Sequence, residues 1–233
     1  MDLQAILFDK DGTLFGFDES WGAWAGQQLD RLSKGDQGLA RRIGAGIGYD
    51  LDENRFHPTS PVIAGTVDEA TGLMLPFLPD YTHAALRDEL DAAAADIEMI
   101  AAVDLDACLG QLRARGYALG VATNDSELSA RAHLEVAGVI DAFSFIAGYD
   151  SGYGAKPAPG QLLAFARAVR VRPEACAMVG DSLHDLRAAR AAGMVAVGVL
   201  TGPATETELR AHADVVLPTI DGLADWLEQR ARL

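Results

Sequence analysis

Cysteine is nearly absent from this chain of 233 residues, which has only Cys108 and Cys176. They match no metal-ligand spacing and are too few for a disulfide framework, so they read as two small buried apolar residues in a reducing compartment. Positive charge is scarce as well. With 19 Lys+Arg against 34 Asp+Glu the net charge is −15. That charge repels a phosphate backbone and an anionic bilayer alike, which speaks against nucleic-acid or membrane-surface binding. Any anionic substrate must then be held by a local cation. Long apolar runs are missing too. The run from Ala5 to Phe8 is too short for a signal-peptide core and follows Asp2 rather than a basic stretch. The alanine-rich segment from Asp91 to Leu109 is broken by Asp91, Asp96, Glu98, Asp104 and Asp106, so it does not read as a membrane span. The expectation is a soluble cytoplasmic protein, without repeats or low-complexity segments.

What is present is ample apolar material, 49% of the residues, enough for a sizeable core. The second half of the chain alternates short apolar runs with helical patterns. The runs are Tyr117 to Thr123, Phe143 to Gly148, Ala175 to Asp181, Met194 to Leu200 and Ala213 to Leu217. The helical patterns are Ser126 to Ala137, Pro159 to Val169, Leu183 to Ala192, Glu206 to Ala211 and Ile220 to Arg232. Strands apolar throughout and separated by helices imply a parallel sheet covered on both faces, a doubly wound α/β fold. Leu3 to Phe8 is one more such strand. After it, residues 15–100 read as helices and loops, an insertion placed to cover the carboxyl ends of the strands, where such sheets bind ligands.

Those strand ends carry the chemistry. Asp9 and Asp11 follow the first strand in "FDKDGTL", Thr123 and Asn124 follow the next in "VATND", Lys156 lies in "AKPAP", and Asp181 and Asp185 stand in "VGDSLHDL". Four ordered motifs of this kind resemble the haloacid dehalogenase-like hydrolases, most of which are Mg²⁺-dependent phosphatases. The resemblance implies a Rossmann-like core of residues 1–14 and 101–233, with a mainly α-helical cap of residues 15–100. It implies Asp9 as the nucleophile that forms an aspartyl-phosphate, Asp11 as general acid and then base, and Lys156 as the cation on phosphate and Asp9. Thr123 would donate its hydroxyl to a phosphate oxygen, with Gly12 and Asn124 beside the substrate. Mg²⁺ would be held by Asp9, the main chain of Asp11, and Asp181, with Asp185 in reach; hard oxygen ligands suit that ion. Thr13 is expected to orient Asp11. A small phosphate ester, phosphoglycolate-like or a sugar phosphate, is the implied substrate.

Simpler readings compete at several positions. Ser182 with Asp185 is a helix-start signature, so Asp185 can equally be a cap, and Thr123 and Asn124 can be ordinary helix-entry residues. Trp21 and Trp24, at i and i+3, read as the apolar stripe of a helix rather than a substrate platform. His184 reads as a solvent-facing first-turn residue, and Gly44 to Gly48 as a flexible segment. Arg31, Arg41 and Arg42 read as solvated. Side chains alternate in an extended chain, so Asp9 and Asp11 should project together with Lys10 on the other side. Lys10 is therefore expected to be dispensable. The presence of Asp11 disfavours a dehalogenase, a phosphomutase of the β-phosphoglucomutase kind keeps both aspartates, and a binding module on the same scaffold is the non-catalytic alternative.

Overall fold

The computed structural model describes residues 2–232. Strand β1 (Ala5–Phe8) is followed by α1 (Phe17–Leu32), α2 (Gln37–Ile47), the two-residue strands β2 (Tyr49–Asp50) and β3 (Arg55–Phe56), α3 (Val67–Met74) and α4 (His83–Ala94). The chain then alternates: α5 (Leu105–Ala114), β4 (Ala118–Ala122), α6 (Glu127–Val136), β5 (Phe145–Ala147), α7 (Gly160–Val169), β6 (Cys176–Gly180), α8 (Leu183–Ala192), β7 (Val195–Val199), α9 (Glu206–Arg210), β8 (Val215–Leu217) and α10 (Leu223–Ala231). Six strands form one parallel sheet in the order β5-β4-β1-β6-β7-β8.

The doubly wound α/β fold expected from the apolar runs is what forms. Alternation along β1 sends Ile6 and Phe8 to one face, where they pack with Leu109 and Leu112 of α5 and Leu134 of α6. Ala5 and Leu7 go to the other, against Leu162 and Phe165 of α7 and Leu186 of α8. Both faces are thus buried, which is why these strands carry no polar residues. β1 lies between β4 and β6, and the chain builds outward from it first on one side and then on the other. The crevice at the carboxyl ends beside β1 is the switch point of the sheet.

The helices of residues 17–94 enclose a third core of their own, with Leu29, Ile43, Ile47, Tyr49, Phe56 and Leu86 at its centre. Two connections tie this layer to the sheet, and they run antiparallel side by side. Gly16 N–H donates to the Ile100 carbonyl at 2.8 Å, and Ala102 N–H to the Leu14 carbonyl at 2.9 Å.

Three details depart from expectation. The glycine-bearing segment Gly44 to Gly48, expected as a flexible segment, is helical: it completes α2, with Asp36 capping the start and Gly48 in the left-handed conformation at the end. Gly44 lies where any side chain would overlap Leu51 and crowd the Tyr49 carbonyl, so close packing outweighs the low helix propensity of glycine. The segment Tyr81 to Ile100 reads from its sequence as one long helix, but α4 stops at Ala94 and residues 95–103 form the return connection. The hairpin β2–β3 and helices α3 and α5 had no clear periodic signal in so few residues. No helix among the described residues is long and apolar enough to cross a membrane.

Candidate active site

The loop after β1 does not stay extended. The N–H groups of Leu14 and Phe15 both donate to the Lys10 carbonyl, at 2.9 and 3.1 Å, so the chain curls tightly around residue 10. Gly12 sits in this curl at φ +76°, and a Cβ there would overlap the Asp181 carboxylate. The curl is why simple alternation fails for Lys10. Its side chain is fully buried and its ammonium lies 2.7 Å from Asp11 Oδ1, 3.1 Å from Asp125 Oδ2 and 3.0 Å from His133 Nδ1. Asp11 and His133 are hydrogen-bond partners of this ammonium and Asp125 adds an ion pair. Burial alone would depress the Lys10 pKa, but Asp11 and Asp125 outweigh it and hold the group above its ordinary value. The expectation that Lys10 turns away from its neighbours is therefore corrected.

His133 completes the arrangement. Its Nε2 lies 2.8 Å from the Ala94 carbonyl, which can only accept, so Nε2 carries the proton and Nδ1 accepts from Lys10. Burial, and then the Lys10 charge, lower its pKa to about 4.

Asp9 and Asp11 have separate surroundings. Asp9 Oδ1 accepts the Lys10 backbone N–H at 2.7 Å and pairs with Lys156 Nζ at 2.7 Å. Asp11 Oδ1 takes the Lys10 ammonium and, at 2.8 Å, the indole N–H of Trp21 from α1. Trp21 thus does more than form an apolar stripe: it joins the helical layer to Asp11. Its sequence spacing gives no hint of this.

The remaining motif residues gather around Asp9. Lys156 Nζ also reaches Asp185 Oδ1 at 2.6 Å. Asp185 is at the same time a helix cap, since its Oδ2 accepts the Ser182 N–H at 3.1 Å and the Ser182 hydroxyl at 2.6 Å. The helix-cap reading of Asp185 holds, and the same side chain also lies against Lys156. Ligand oxygens of Asp9, Asp181 and Asp185 lie within 4.8 Å of one another, all buried. Thr13 donates to Asp181 Oδ1 at 3.4 Å, so its partner is Asp181 rather than Asp11. Gly202, after β7, also lies where a Cβ would overlap Asp181.

Thr123, buried at the end of β4, accepts the Asp125 N–H on its hydroxyl oxygen at 3.0 Å, which leaves the hydroxyl proton to donate. Asn124 lines the same cavity, yet its amide is occupied: Nδ2 donates to the carbonyls of Ala64 and Lys156, both at 2.9 Å, and Oδ1 accepts the Lys156 N–H at 2.9 Å. Asn124 fastens the Lys156 loop to β4 and to the helical layer. His184 also lines the cavity and is half-buried, not solvent-facing.

The electrostatics are strained in one direction. Burial, reinforced by Asp185 and opposed by Lys156, raises the Asp9 carboxyl to about 7. Asp181 lies well above the ordinary range, from burial and then from Asp9 and Asp185. Lys156 is raised although burial opposes it, because Asp185 and Asp9 flank it. When all are ionised, the three clustered carboxylates face one ammonium, leaving two negative charges uncompensated. An oxygen-only donor set with that deficit fits a hard divalent cation. Asp11 is not in the cluster; its carboxylate is turned to Lys10 and Trp21.

The acidic edge lies at the switch point of a doubly wound sheet, where folds of this kind bind ligands. The model of the haloacid dehalogenase-like hydrolases matches residues 3–193. The chain belongs to that family. It is 33% identical over 231 residues to the phosphoglycolate phosphatase of Rhodospirillum rubrum, an alignment covering 96% of this chain and 90% of that one. Among solved structures it is similar to a predicted phosphoglycolate phosphatase from Haemophilus somnus 129PT, with TM-score 0.72, 18% identity, and 97% of this chain and 98% of that one covered. It is also similar to β-phosphoglucomutase from Clostridium difficile, with TM-score 0.70, 20% identity, and 99% and 97% covered. At those identities the two structures speak to the fold alone.

Proposed function

We propose that the protein hydrolyses a small phosphate monoester through an aspartyl-phosphate on Asp9, with Mg²⁺ as cofactor. The observation that carries this is the placement of Asp9: buried, paired with Lys156 at 2.7 Å, and within one ligand cluster with Asp181 and Asp185. Both observed donors fall on Asp9 Oδ1, so Oδ2 is the oxygen left to attack phosphorus. As the Oδ2–P bond forms, the P–O bond to the alcohol breaks and the departing oxygen takes the proton of Asp11. Asp11, now a carboxylate, takes a proton from water; the water oxygen bonds to phosphorus, and the acyl-phosphate P–O bond breaks to restore Asp9. Lys10 and Trp21 hold Oδ1 of Asp11 through both steps, which fixes the direction in which its other oxygen carries the proton. Thr123 and Lys156 place donors on the transferring group, the main source of acceleration in such reactions.

Asp9, Asp181 and Asp185 are the side chains that would hold Mg²⁺. When bound, the ion supplies counter-charge to the nucleophile and the phosphate and lets Asp9 ionise near neutral pH. The division into a core of residues 1–14 and 101–233 and a cap of residues 15–100 belongs to this proposal, as does a cytoplasmic location. The test is phosphate release from 4-nitrophenyl phosphate with Mg²⁺, with EDTA, and in Asp9→Asn. The expected result is activity in the first case and loss in the other two. Activity that survives either perturbation refutes the mechanism, and isomerised sugar phosphate without phosphate release identifies a mutase.

A further inference from the structure

The catalytic edge opens into a cavity of about 130 Å³ that reaches into the helical layer, well beyond the roughly 10–15 Å³ that admits one water. Each helix of that layer and its hairpin gives the wall an apolar side chain: Trp24 and Leu29 from α1, Ile47 from α2, Phe56 from β3, Met74 from α3 and Leu90 from α4. Among the described residues the only lysine or arginine in the wall is Lys156, and both of its carboxylate partners belong to the catalytic cluster. Charges in the wall beyond that cluster and Asp11 are negative: Asp91 and Asp125. Two of the neutral polar groups of the wall are engaged with the protein's own chain. The Thr66 hydroxyl is bonded to Glu69 in a helix cap, and the Asn124 amide to backbone carbonyls. The nearby arginines point elsewhere; Arg31 and Arg41 pair with Glu89 and Asp52 on the exposed surface.

A carboxylate entering this space would lose its hydration, meet two acids and find no counter-charge, and most of the surface of a sugar would face apolar side chains. An alkyl or aryl group would instead be taken out of water by a wall that is already apolar. From this we infer, resting on the phosphate monoesterase reading above, that the alcohol released by the enzyme is uncharged and predominantly apolar. Phosphoglycolate, the substrate named for the Rhodospirillum relative, does not suit this wall.

Alkyl phosphates test the inference without changing leaving-group reactivity appreciably. With Mg²⁺ present, kcat/KM should rise from ethyl to butyl to hexyl phosphate, by up to about fourfold per methylene while the cavity fills. Hexyl phosphate should exceed 2-phosphoglycolate and glucose 6-phosphate by at least a hundredfold. A flat series, or preference for either charged or sugar ester, overturns the inference while leaving the phosphatase reading intact. No release from any ester, 4-nitrophenyl phosphate included, overturns both. Ile63, half-buried in the loop before α3 and part of the wall, offers a second arm. Ile63→Lys should shift the preference toward 2-phosphoglycolate over hexyl phosphate at least tenfold; an unchanged ratio counts against the inference.

Discussion

Replacing Lys10 by leucine should be among the most damaging single changes outside the catalytic motif residues, contrary to what strand alternation suggests. The ammonium is fully buried and holds Asp11, Asp125 and His133 within 3.1 Å. Leucine fills most of the stem's volume but leaves the Asp125 carboxylate buried without its cation. Breaking a buried ion pair from one side costs about 3–5 kcal/mol. For a chain of this size that corresponds to a melting temperature lower by roughly 6–20 °C. Activity should fall as well. Asp11 loses one of its two donors, and a general acid, its role in the proposed mechanism, contributes on the order of 10²–10⁴ in rate, so a loss of about tenfold to a hundredfold in kcat is expected. Thermal unfolding and kcat on 4-nitrophenyl phosphate read the two effects separately. The double variant Lys10→Leu/Asp125→Asn removes the stranded charge and should recover about half of the lost stability. A single variant that melts within 2 °C of the parent and keeps full activity would refute the reasoning, and so would a double variant less stable than the single.

Other perturbations have defined outcomes. Asp9, near 7 in the folded protein against an ordinary value close to 4, keeps a proton that the unfolded chain has already lost. Its contribution to stability is therefore greatest at low pH and is lost as pH rises from about 4 to 7. His133, held neutral, titrates with the opposite sign below about 6.5, so the informative quantity is the gain in melting temperature on adding Mg²⁺. Because the ion replaces the proton, that gain should grow between pH 5 and 7.5; a gain that shrinks over that range would contradict the assigned ligand set. Gly202→Ala should abolish activity by at least a hundredfold, since its methyl would occupy the space of the Asp181 carboxylate; full activity would mean that Asp181 is free to sit elsewhere. Asn124→Ala should lower kcat about tenfold or more by loosening the Lys156 loop, with Lys156 backbone amide exchange rising in parallel, and unchanged exchange would rule out that role.

The sheet could be read from the chain because each of its strands is apolar on both faces. An unbroken run such as Cys176 to Gly180 is too short for a buried helix and too apolar for a surface loop, which leaves a central strand. The gathering of Asp9, Lys156, Asp181 and Asp185 on one edge was legible because four short motifs lie in order on successive strand ends. Asp125, His133 and Trp21 were not. Lys10 and His133 are 123 positions apart in the chain, and no local pattern reports a contact of that range. Lys10 itself was misplaced because alternation holds only while the backbone is extended, and the chain curls immediately after β1. The helical layer was legible as helices but not in its packing: α2 carries Gly44 and Gly46, whose low propensity is overridden by tertiary contacts.

On the proposed mechanism, the bond from Trp21 to Asp11 makes the proton carrier a joint possession of the sheet and the helical layer. Asp11 Oδ1 receives one donor from the loop after β1 and one from the first helix beyond the connection, so neither body alone sets its orientation. A displacement of α1 by about 1 Å would stretch the indole contact past hydrogen-bonding range and leave the carboxyl steered by Lys10 alone. Asp9, Lys156, Asp181 and Asp185 are all borne on the sheet side and would keep their places. On that mechanism, binding a phosphate and releasing its alcohol would answer to different parts of the molecule: the first to the sheet edge, the second to how closely the helical layer rests on it.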